Sequence, residues 1–183
     1  SMGLRQTFGL FFDSFEKGLG VTRTEFGLAI GIQMLFWGFF APIFGLLADK
    51  FGGNKAVFLG FLIFALGIFM LYSGPNTGIY FQLALGVLVG TALGATAIGV
   101  PVSEVGKHFP NETRTIATGV VTAAASIGYF LSPLLTQYSL VEFEWEQTLK
   151  YFMVFILIGL FVSIFLLPAK TIINSSQVDR DQT

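Results

Sequence analysis

An all-α, polytopic membrane bundle is predicted for this chain, and three observations lead there. The runs Phe26 to Ala48 and Ala56 to Tyr72 carry no charged residue. Each is about long enough to cross a bilayer as a helix, since a ~30 Å hydrocarbon core needs roughly 17–25 residues. Between them lies Gly45-Leu46-Leu47-Ala48-Asp49-Lys50-Phe51-Gly52-Gly53-Asn54-Lys55, a short charged turn that can join two antiparallel spans only at a membrane surface. Composition agrees: the 183 residues are 54% hydrophobic and only 11% charged, with a mean hydropathy of +0.75. A soluble domain carries about 25% charged residues, so most of this surface does not face water.

The elements follow in order along residues 1–168, one transmembrane unit. Residues 1–12 are apolar but cover only part of a bilayer, and Asp13, Glu16, Lys17, Arg23 and Glu25 then suggest a polar loop. The second and third spans are 26–48 and 56–73, separated by the charged turn. Ser73-Gly74-Pro75-Asn76-Thr77-Gly78 is a glycine- and proline-marked connection to a fourth span, 79–102. There Gly86, Gly90 and Gly94 recur every fourth position, a flat stripe for close helix approach. Gly27, Gly31, Gly38 and Gly45 suggest the same service in the second span. A loop holding Lys107, His108 and Pro110 leads to a fifth span, 114–137, capped by Asn111 or Thr113 and kinked near Pro133. Trp145, amid Glu142, Glu144 and Glu146, is expected as an interfacial anchor before the sixth span, 150–167. Residues 169–183 turn polar, as a linker or tail does.

Charge sets the orientation. Lys50, Lys55, Lys107, Arg114, Lys170 and Arg180 fall at one end of the bundle, the basic end. Lys17, Arg23 and Lys150 share the other, acidic end with Asp13, Glu16, Glu25, Glu142, Glu144 and Glu146. The excess of cations predicts that the basic end and the tail are cytoplasmic. The chain has no Cys, one His and no phosphate-cradling Gly-Lys-Ser/Thr loop, and its eleven acids all lie outside the apolar runs. No metal site, cofactor or enzyme is therefore expected, and a net charge of −1 argues against a nucleic-acid partner.

Gly45, Leu47, Ala48, Asp49, Lys50 and Gly52 resemble the signature loop between the second and third helices of the major facilitator superfamily. Gly53 and Asn54 depart from it, standing where the family carries cations, and the basic residue arrives only at Lys55. Gly3-Leu4-Arg5-Gln6-Thr7-Phe8-Gly9-Leu10-Phe11, Arg114-Thr115-Ile116-Ala117-Thr118-Gly119 and Ala123-Ala124-Ala125-Ser126-Ile127-Gly128 resemble bacterial carriers near the monocarboxylate and oxalate/formate branch. The resemblance implies the N-terminal six-helix half of a twelve-helix fold, arranged as a three-plus-three inverted repeat with its first helix truncated. It further implies a secondary transporter in the bacterial inner membrane. Its expected partners are the bilayer, a C-terminal six-helix half, a small organic anion such as a monocarboxylate, and a coupled proton or counter-anion. Two other readings stay open: a non-transporting helical membrane subunit, and a six-span half-carrier that dimerises.

Arg5 is the sharpest binding candidate. A charge at its depth is costly unless it faces a water-filled cavity or a partner, and a guanidinium grips a carboxylate through two parallel hydrogen bonds. Gln33 and Trp37 lie four apart on one helix face, and Gln6, Thr91 and Tyr129 are further polar candidates for the cavity. The resemblance assigns gating to Gly45, Asp49, Lys50, Gly52 and Lys55, with Arg114 beside them. Lys50 and Lys55 are placed to meet helix C-termini or Glu104.

Overall fold

The computed structural model describes residues 2–75 and 77–165. These are almost wholly helical, with no strand among the described residues. The first span comprises α1 (Met2–Thr7), a 3-10 turn (Phe8–Phe11) and α2 (Phe12–Leu19). The second is α3 (Arg23–Phe51) and the third α4 (Gly53–Ser73). The fourth joins α5 (Gly78–Phe81), a π-helical stretch (Gln82–Leu88), α6 (Val89–Thr96) and α7 (Gly99–His108). The fifth is α8 (Asn111–Glu142) and the sixth α9 (Trp145–Phe165). Five of the described helical stretches are long and apolar enough to cross a membrane. The predicted 169–183 tail lies outside the described residues.

Several boundaries differ from expectation, each for a local reason. The polar stretch after residue 12 is helix, not loop. Phe8, Phe11 and Phe15, spaced three and four apart, are fully buried on one face, while Asp13, Glu16 and Lys17 lie exposed on the other. The turn comes only at Gly20, whose φ of 67° is the left-handed C-terminal cap that glycine adopts without a Cβ clash. Thr22 then opens α3 with a capping box: its hydroxyl accepts from the Glu25 N–H, and its own N–H donates to the Glu25 carboxylate.

At the basic end the loop shrinks to one residue. Asp49 and Lys50 are in the last turn of α3 and Lys55 in the first turns of α4, with Gly52 alone between them at φ 96°. The fourth span is not one α-helix either. It widens at Gln82–Leu88 and breaks at Ala97, whose ψ is 173°. Lys107 and His108 continue α7 instead of forming a loop, and Pro110 takes the N-cap position of α8, with Asn111 and Thr113 already inside the helix. Pro133 sits within an unbroken α8.

The pairing is regular. Span one packs on span five, span two on span four, and span three on spans four and six. Exchanging spans 1–3 with 4–6 maps the pairs one–five and two–four onto each other and three–six onto itself, as in an inverted repeat, while the three–four contact has no counterpart of similar extent between spans six and one. At the acidic end, rings knit the first span to the fourth and sixth. Phe11 lies 5.4 Å from Phe152, and Phe15 lies 5.4 Å from Phe81 and 5.7 Å from Trp145. Trp145 is thereby a packing residue, with its indole where a Cβ on Gly18 would stand.

Candidate functional site

Arg5 on α1 reaches across to α3. Its guanidinium carbon sits 5.0 Å from the Trp37 ring centroid, and one Nη donates to the Met34 sulfur at 3.0 Å. A thioether is a weak acceptor and an aromatic face accepts no conventional hydrogen bond, so most of the five N–H donors lack a strong partner. The Nε is buried and has none at all. No carboxylate pairs with Arg5 among the described residues. The cation is held in place by soft, apolar neighbours and left electrostatically unanswered.

The neighbours of Arg5 come from helical periodicity. Met34 and Trp37 are three apart on α3 and so share a face. Trp37 was visible from sequence as a candidate; Met34 was not, because a methionine in an apolar run carries no polar signal. Gln33, expected at the same site, turns the other way. It is 1% exposed, and its Nε2 donates at 3.2 Å to the carbonyl of Leu85 in the π-helical stretch. Gln33 is therefore a packing bond between spans two and four. Gln6 is exposed, and Thr91 and Tyr129 are half-buried. No hydrogen bond or ring contact joins these three to Arg5 among the described residues.

The gating candidates separate into two places. Lys50 folds back so that its ammonium lies 5.3 Å over the Phe51 ring. Glu104 reaches the start of α4, where a Cβ on Gly53 would lie 2.6 Å from the carboxylate. A carboxylate at a helix N-terminus is favourable electrostatically. So the Glu104 carboxylate stands at the helix end. Gly53, a departure from the family pattern, is what leaves room for it. Arg114 packs at the first turn of α8, its Nε 3.1 Å from where a Cβ on Gly106 would stand, beside the end of α7. It borders the fourth span at the end of α7. Gly45 touches nothing that a Cβ would meet.

The comparisons agree with this architecture. The sequence model of the Major Facilitator Superfamily matches residues 1–182. Riboflavin transporter RibZ of Clostridioides difficile is 30% identical over 146 residues, covering 79% of this chain and 30% of RibZ. Probable nitrate transporter NarT of Staphylococcus haemolyticus is 25% identical, covering 75% of this chain and 35% of that protein. Monocarboxylate transporter 14 of Homo sapiens is 25% identical, covering 81% of this chain and 28% of its own length. The chain thus spans about a third of the length of the curated relatives it matches.

Proposed function

The chain belongs to the Major Facilitator Superfamily, and on that premise we propose that it forms the first six-helix half of a secondary active carrier for a small organic anion of the monocarboxylate class. Its relatives are transporters and not enzymes, and its apolar helices make it an integral membrane protein. The observation that carries the substrate proposal is Arg5, a guanidinium inside a span with no acidic partner and a buried, unpartnered Nε. Two of the relatives are named for anionic cargo, nitrate and monocarboxylate, while a third is named for riboflavin.

In this proposal a carboxylate enters between the two halves near the midplane and takes two parallel hydrogen bonds from Arg5. Trp37 holds the guanidinium plane against its ring and supplies an apolar wall to the organic part of the substrate. The opposing wall, and any proton or counter-anion site, comes from a second six-helix half. Asp49, at the end of α3, acts in the inner gate of a bacterial inner membrane carrier whose basic end is cytoplasmic.

The test is uptake of labelled lactate, formate and oxalate into proteoliposomes holding the carrier that contains this chain, with and without a pH gradient. Saturable uptake of one anion, lost in Arg5→Gln, is the expected result. Uptake unchanged in Arg5→Gln, or no anion carried by correctly folded protein, overturns the substrate assignment. Asp49→Asn should slow turnover without lowering membrane insertion; normal turnover removes it from the gate.

A further inference from the structure

We infer that the bundle carries a lipid site away from Arg5: the cleft between α8 and α9 receives one acyl chain of a phospholipid with an ammonium headgroup. Because α8 packs chiefly on α1 and α9 chiefly on α4, the two helices diverge and leave a cavity of about 360 Å³ between them. Its lining runs from Gly128 to Ser139 on α8 and from Thr148 to Gly159 on α9, with Gly3 and Leu4 of α1 and Phe61 of α4 completing it. Each stretch is twelve residues, eleven rises of about 1.5 Å, so both walls are about 16 Å long. Phe152 and Ile156, 4% and 1% exposed, close the back. Leu135, Tyr151 and Phe155 are exposed along its edges, so the cleft opens sideways from the bundle.

Size selects the occupant. A slot of about 360 Å³ between walls about 16 Å long is too narrow for a helix of about 10 Å diameter and suits one hydrocarbon chain. Charge selects the headgroup. The cleft ends at Ser139 and Thr148, at the acidic end of the bundle. Glu142 lies one turn beyond Ser139, and the Thr148 hydroxyl donates to the Glu144 carbonyl at 3.4 Å, fixing Glu144 one turn before the mouth. Both glutamates are exposed. Lys150 does not answer them, since its ammonium is turned to the Tyr72 ring on α4 at 5.3 Å. Two carboxylates over the mouth of an apolar slot complement an ethanolamine ammonium and repel a net anionic headgroup.

The experiment uses the full chain in bilayer nanodiscs doped with phosphatidylethanolamine bearing a diazirine in one acyl chain, with crosslinks mapped by mass spectrometry after irradiation. Labelling at Leu135, Tyr151 or Phe155 should exceed that at exposed Leu62 and Phe69 of α4 by about fivefold. The same acyl probe on phosphatidylglycerol should label the cleft about threefold less, and E142Q with E144Q should erase that difference. L135W, which fills an exposed edge, should cut cleft labelling while helicity by circular dichroism stays constant. Even labelling of α4, α8 and α9 would mean annular lipid alone and overturn the site. So would equal labelling by the two headgroups in the unaltered chain, a comparison that needs no variant. Protection of Leu135 from both probes would instead place a second helix there and equally overturn it.

Discussion

Two glycine-rich spans touch along one seam and use their glycines in opposite ways. In the fourth span, Gly86, Gly90 and Gly94 all press on α3. A Cβ added to them would lie 2.9 Å from Ile32, 2.7 Å from the Gln33 carbonyl and 2.9 Å from the Phe40 backbone. In α3 itself, Gly27, Gly31, Gly38 and Gly45 meet nothing within 4 Å. The spacing that predicted a packing stripe in both spans is met by a neighbour in the fourth, while in α3 no described residue approaches it. Burial follows the same split: 67% of the apolar stretch of Gly78–Gly106 is buried, against 11% for Arg23–Phe51. A glycine ladder therefore reports that a backbone can be approached. Whether it is approached depends on the side of the helix that the bundle occupies.

That difference can be broken by substitution, read as the midpoint of unfolding in detergent. Gly90→Val should cost most, about 3 kcal/mol, because the clash is with the Gln33 backbone, which cannot rotate aside. If Gly90→Val melts with the unaltered chain, the two–four seam is not the close contact described. Gly60→Ala comes next, at about 2 kcal/mol, since its new Cβ would fall 2.5 Å from the Ala95 Cβ across the three–four contact. Gln33→Leu should lose about 1 kcal/mol, in line with hydrogen bonds between membrane helices. A larger loss there would show that the π-helical turn depends on the bond to Leu85. Gly31→Ala should be the mildest, stabilising by up to about 1 kcal/mol through helix propensity alone. Destabilisation by that change would reveal a neighbour on the open face of α3.

The spans were legible because an apolar run of bilayer length is a signal that tertiary context hardly alters. What lay between them was not. Asp13, Glu16 and Lys17 suggest a loop on polarity alone, although Phe8, Phe11 and Phe15 carry a helical period beneath them. Thr22 and Glu25 spelled a capping box that polarity again concealed. The break at Ala97 has no such local mark: Gly99 and Pro101 follow it, yet Pro42 and Pro133 sit inside unbroken helices. At the site, Arg5 and Trp37 were legible as unusual residue types within apolar runs. The inward turn of Gln33 was not, because one helix face gives no sign of which neighbour it meets.

The cation held over Trp37 also makes the protein its own optical instrument. The chain has two tryptophans, Trp37 and Trp145, and only Trp37 lies beneath a guanidinium. A positive charge 5.0 Å from the centre of an indole shifts the energy of its excited state. Neutralising or displacing that charge would therefore change the colour and yield of its emission. With Trp145→Phe removing the second emitter, titration of anions against this single fluorophore would report occupancy of the Arg5 site directly, with no labelled compound and no assay of flux.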